Sequence, residues 1–172
     1  MSSHAEKGRN RAREVLAAYG SVQLPIPVEK IIKSHNIILR FSPFDDELSG
    51  MAVIKDGQAI VGVNALHHPN RQRFTMAHEL GHHLMHQDVI TGTIHIDKGF
   101  TLWRGELAKQ GIDTMEIEAN NFASELLLPK ELITQVEGLE NLDMDDEIRM
   151  KLFAKRFKVS PAALRFRLLS LR

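Results

Sequence analysis

The chain has 172 residues, 43% of them hydrophobic and 26% charged, so it is long enough to bury a core and too apolar to be disordered. Lys+Arg and Asp+Glu are equal at 22 each, so mean charge gives no reason to expect a polyanionic partner, and no apolar run approaches the ~18 residues of a membrane span. Cysteine is absent, which excludes disulfides, thiol nucleophiles and thiolate metal sites, so a metal here needs His, Asp or Glu ligands, and nine histidines are available.

In chain order, residues Ala5 to Tyr19 are rich in helix formers and run into Gly20, which predicts a helix with a glycine stop. A short helix is expected from Val28 to His35, and a strand from Asn36 to Phe41. Gly50 to Ile54 and Gln58 to Val63 read as a hairpin around Asp56-Gly57. Beyond Pro69 the pattern is helical: Asn70 to His86, Thr114 to Leu128, a short helix after Pro129, Asp145 to Lys158, and Pro161 to Leu171 with Ser160 as N-cap. Between His86 and Asp113 a long loop is expected. The charged N-terminus contains no apolar signal core, and a cytoplasmic protein is expected.

His78, His82, His83 and His86 fall within nine residues, and His78-Glu79-Leu80-Gly81-His82 is an H-E-x-x-H sequence. On a helix, positions i and i+4 differ by only ~40° of rotation and about 6 Å of rise, so both rings can reach one zinc ion. Glu79 is rotated ~100° from His78, placed to act on water as a general base rather than as a ligand. The competing structural reading is a solvated His-rich helix face. Gly81, which costs ~1 kcal/mol in a helix relative to Ala, suggests the close approach of another backbone or a substrate.

A catalytic zinc takes three protein ligands and keeps one open position. His86 lies ~12 Å along a straight helix from His78, too far to share the ion, and is read as a polar or supporting residue. The third ligand is sought in residues 115–123, where Glu116 shares a face with the small residues Ala119 and Ala123 and Glu118 shares one with Asn121 and Glu125. Glu116 is therefore expected to be the ligand and Glu118 to face solvent. Asn120, one turn after Glu116, is placed to accept the second ring N–H of a ligating histidine. The structural alternative for Glu116 is a capping box with Asp113.

These residues resemble the ImmA/IrrE-type metallopeptidases. The resemblance runs from Leu48-Ser49-Gly50 through Val61-Gly62-Val63-Asn64, Arg71-Gln72-Arg73-Phe74-Thr75 and the H-E-x-x-H sequence to Glu116–Ala123 and Leu126-Leu127-Leu128-Pro129. It implies an α+β, zincin-like (gluzincin-like) domain with a small antiparallel sheet, His78, His82 and Glu116 as ligands, and Glu79 as base. It also implies a protein substrate: a helix-turn-helix repressor of a phage, mobile-element or stress-response system. Manganese is an alternative to zinc, because two His and a carboxylate discriminate weakly. A single domain over 1–172 is expected, with helices over residues 1–35, a sheet over 36–64, active-site helices over 70–128 and C-terminal helices over 130–172.

Several roles stay open. Either hairpin strand is expected to be a free edge that pairs with an extended peptide. Arg71 and Arg73 are expected to form structural salt bridges, and His95, Tyr19 and His86 are unranked candidates for stabilising an oxyanion. Residues 113–147 hold eleven acids against one base, Lys130, whereas residues 148–172 hold eight bases and no acid. The latter segment also reads as helix, turn, helix, so the alternative function is a DNA-binding or partner-docking module with a non-catalytic metal site.

Overall fold

The computed structural model describes residues 3–91, 95–98, 106–139 and 141–171. Helix α1 (Ser3–Tyr19) ends where Gly20 takes a left-handed φ of 96°, and buries Ala12, Val15 and Leu16. Helix α2 (Val28–Ser34) lays Val28, Ile31 and Ile32 into the same core.

Strands β1 (Ile38–Ser42), β2 (Leu48–Lys55) and β3 (Gln58–Asn64) form a sheet with β4 (His95–Lys98) in the order β1-β3-β2-β4. The β2–β3 hairpin turns at Asp56 and Gly57, both at positive φ, as its Asp-Gly requires. β1 runs parallel to β3, so the α+β class holds while the sheet is mixed rather than antiparallel throughout. Asn64 sets this crossing: its amide donates to Leu48 O at 2.8 Å and Asp45 O at 3.2 Å, and its Oδ1 accepts from Leu66 N at 3.0 Å. That clamp turns the chain from β1 to the far side of β3.

Neither hairpin strand is a sheet edge. β1 covers β3, and β4 pairs antiparallel with β2 through Met51↔Ile96 and Ala52↔His95, so the outer strands among the described residues are β1 and β4. The expectation of a free β2 or β3 edge fails because the segment read as loop supplies a strand.

Helix α3 (Pro69–Met85) starts with proline at its first turn and the His68 ring accepting from Asn70 N at 3.1 Å. It is buried continuously from Thr75 to His83 between the sheet and the long helix α5 (Glu106–Leu127), with α4 (Gln87–Ile90) following it. α5 begins well before Thr114, because the backbone stays helical through Gly111 and Asp113; Asp113 therefore lies inside the helix, and the capping-box reading of Glu116 fails. Gly81 is explained by α5, since a Cβ there would stand 3.1 Å from the Phe122 ring and 3.4 Å from Ala119 Cα.

Helices α6 (Lys130–Thr134), α7 (Glu147–Phe157) and α8 (Pro161–Leu171) complete the described chain. Asp146 caps α7 by accepting from Arg149 N at 3.0 Å, Lys158 ends it in the left-handed region, and Ser160 caps α8 through Ala163 N at 3.1 Å. Phe157, Val159, Leu164 and Leu168 join Phe122, Leu126 and Leu127 in one core.

Candidate active site

α3 places His78 and His82 one turn apart on one buried face, and α5 crosses that face with Glu116. The His78 and His82 Nε2 atoms are 3.0 Å apart, His78 Nε2 is 3.2 Å from Glu116 Oε2, and His82 Nε2 is 3.3 Å from Glu116 Oε1. Among the described residues this trio could hold a metal ion. Four ligands set tetrahedrally at ~2.0–2.1 Å from an ion stand ~3.3 Å from one another, so the three donors already have the spacing such an ion needs. Two imidazoles and a carboxylate also match a zinc or manganese donor set in chemistry.

The outer nitrogens of the two rings point at different partners. His78 Nδ1 is 3.1 Å from Asn120 Oδ1, one helical turn beyond Glu116, and the ring stacks on Phe74 at 6.2 Å. His82 Nδ1 is 3.0 Å from His86 Nδ1. α3 ends at Met85, and His86 at its C-cap directs Nε2 to Glu118 Oε2 at 2.9 Å.

Glu118 corrects the expectation of a solvent-facing residue, for it is 2% exposed. The polar face of α5 meets the basic face of α1: His4 Nδ1 lies 2.8 Å and Lys7 Nζ 2.7 Å from Glu118, Arg9 donates to Asn121 Oδ1 at 2.8 Å, and Arg13 reaches Glu125 at 3.3 Å. Burial pushes the Glu118 carboxyl up, but hydrogen bonds from Lys7, His86 and His4 outweigh it and hold the group down at about 2. A Cβ on Gly8 would lie 2.1 Å from Glu118 O, so only glycine lets the two helices come this close.

Glu79 is fully buried beneath β2. A Cβ on Gly50 would stand 3.2 Å from Glu79 Oε1 and 2.3 Å from Thr75 Cγ2, so Gly50 permits the strand to lie directly over the H-E-x-x-H helix. The adjoining His83 places Nε2 2.9 Å from Ile60 O; as that oxygen only accepts, Nε2–H is the donor, and burial lowers the ring's basicity.

The other expected residues fall elsewhere. Arg71 donates to Ser49 Oγ and Arg73 to Ile26 O, each at 2.8 Å, so among the described residues both make structural contacts to neutral oxygens instead of the expected salt bridges. Tyr19 packs against the main core and His86 is turned to His82 and Glu118, so neither lies at the donor atoms of the trio; the side chain of His95 lies outside the described residues. A cavity of about 960 Å³ opens beside the site, lined by Phe74, Ile117, Asn120, Leu127, Pro161 and Phe166 among others. Phe74 and Asn120 join it to His78.

Over 105 residues, 60% of the chain, it is 32% identical to the radiation response metalloprotease IrrE of Deinococcus radiodurans, and the match covers 29% of that protein. The chain thus spans less than a third of the length of that curated relative. In fold it is similar to a Mycobacterium tuberculosis transcriptional regulator, with a TM-score of 0.60 and 18% identity over 92% of this chain and 45% of that one. Residues 32–169 match the Peptidase M78 model, described as the IrrE N-terminal-like domain, and the chain therefore belongs to that metallopeptidase family, which implies a divalent metal.

Proposed function

We propose that the chain is a zinc-dependent, H-E-x-x-H endopeptidase of gluzincin-like type that hydrolyses a peptide bond in a helix-turn-helix transcriptional repressor. The observation that carries this reading is the convergence of His78, His82 and Glu116 donors at 3.0–3.3 Å beside a fully buried Glu79. His78, His82 and Glu116 hold the ion, and Asn120 accepts the His78 Nδ1–H and fixes that ring. Zinc bound there supplies Lewis acidity and brings the pKa of water towards ~7; manganese would supply similar chemistry.

The chain's own chemistry is proton transfer and positioning. Glu79 accepts the proton of the attacking water and returns it to the leaving amine. Its burial under β2 shields the carboxylate from bulk water. The cavity next to His78 offers apolar walls to large side chains of an extended substrate. No described helix is long and apolar enough to cross a membrane. A cytoplasmic protease acting on regulators of phage, mobile-element or stress-response genes is the setting this reading favours.

Exposed bases on and just beyond α7, Lys151, Lys155, Arg156 and Lys158, favour a second reading, nucleic-acid or partner docking through α7 and α8. Three further bases are already engaged: Arg167 is buried against Glu125, Arg165 pairs with Glu147, and Arg149 donates to Gly138 O. A DNA affinity that falls steeply with salt supports docking; no binding at low salt ends it.

For the protease reading the test is a zinc-loaded wild-type chain and its Glu79→Gln variant incubated with a helix-turn-helix regulator encoded beside this gene. Cleavage by the wild type and its loss in Glu79→Gln, with zinc retained, is the expected result. A Glu79→Gln protein as active as the wild type would falsify the mechanism.

A further inference from the structure

We infer that Glu118 and His86 are positioning residues that fix the tautomer of His82, so that its Nε2 lone pair faces the metal. The inference rests on the ligand set of the preceding reading, and extends it to a chain of groups behind the ligands.

Glu118 has the least freedom of these groups. An ionised carboxylate only accepts hydrogen bonds, and a neutral imidazole has one N–H and one bare nitrogen. Glu118 Oε2 lies 2.9 Å from His86 Nε2, so a neutral His86 carries its proton on Nε2 and leaves Nδ1 bare. That bare Nδ1 faces His82 Nδ1 at 3.0 Å, so His82 carries its proton on Nδ1. His82 Nε2 is then unprotonated, and it is this atom that faces His78 Nε2 and Glu116. Reversing any link would put a proton on His82 Nε2, where a ligand lone pair is needed.

The relay is built rather than incidental. His82, His86 and Glu118 are 0%, 4% and 2% exposed, so water does not freely exchange for any member. Lys7 and His4 sit on the same carboxylate, beside the close contact of Gly8 with α5, and hold it in place. His78 reaches the same tautomer by a shorter route, through the Asn120 amide oxygen alone. Ligating histidines are commonly oriented by such outer partners, whose loss weakens metal binding ~10- to 100-fold.

Zinc affinity, read by competition with a chromophoric chelator, tests this without any substrate. Glu118→Gln keeps the side chain's shape but can donate as well as accept, so it no longer dictates the His86 tautomer. A ~10- to 100-fold weaker zinc affinity is expected; wild-type affinity in Glu118→Gln overturns the inference, because a packing role alone survives an isosteric change. Should that variant not fold, 15N NMR of the zinc-loaded wild-type chain decides. A proton on His86 Nε2 with Nδ1 bare is expected, and a proton on His86 Nδ1 overturns the relay. A wild-type chain that binds zinc through this relay yet cleaves no regulator would sink the protease reading and leave the relay standing.

Discussion

Under the proposed ligand set, each histidine ring needs one outer partner that decides which nitrogen is free, and the two rings have partners of different strength. Asn120 meets His78 through a neutral amide at 3.1 Å and is itself exposed, so water can compete. Asn120→Ala should therefore weaken zinc binding at the lower end of the ~10- to 100-fold range for outer partners, measured by chelator competition. Unchanged affinity would mean that α3 packing alone fixes the ring. The convergence of His78, His82 and Glu116 is readable in the sequence, the two histidines from their i, i+4 spacing and Glu116 from the small residues on its helix face. Glu118 misleads for an equally physical reason. A polar face looks solvent-bound in one helix's sequence, and nothing local to α5 announces that His4, Lys7, Arg9 and Arg13 of α1 will cover it.

Among elements, close approach is what makes the site possible. β2 lies on α3 because Gly50 has no side chain; Gly50→Val would drive a methyl into Thr75 Cγ2 and towards Glu79. Overpacking of this kind costs ~1–3 kcal/mol, and a lowered melting temperature together with reduced cleavage is expected. A Gly50→Val protein with wild-type stability and activity would show that the strand has room to retreat. The cavity between α3, α5 and α8 should select large apolar substrate side chains. Phe166→Ser, on its exposed rim, is expected to raise KM for such peptides ~10-fold while zinc affinity stays unchanged; equal KM values would remove the cavity from substrate binding. The hairpin, α1 and α8 are readable from turn, glycine and cap residues. β4 and the early start of α5 are not, since a four-residue strand takes its stability from β2 and Gly111 imitates a helix stop.

At the scale of the molecule, the balanced net charge hides an interior electrostatic scaffold. Acids of α5 are matched by bases of α1 and α8, with Arg167 and Glu125 both fully buried against each other. The candidate metal site lies where α3 and α5 cross inside this scaffold, so metal binding there should stabilise the fold. With zinc one hundredfold above its Kd the gain is ~2.7 kcal/mol, and chelation should lower the melting temperature by roughly 5–10 °C. A melting temperature indifferent to chelator would place the ion outside the folded core. The unequal charge halves are readable in sequence, but their partners are not, because pairing across elements is decided only by the packing of α1 and α8 on α5.

Zinc titration of the wild type, Glu116→Ala and Glu118→Ala by chelator competition bears most directly on the central claim that His78, His82 and Glu116 form one metal centre. One ion per wild-type chain is expected, with Glu116→Ala losing far more affinity than the ~10- to 100-fold expected of Glu118→Ala. The reverse order would mean that the carboxylate held by His86, Lys7 and His4 is the ligand, and that the site has been assigned to the wrong glutamate.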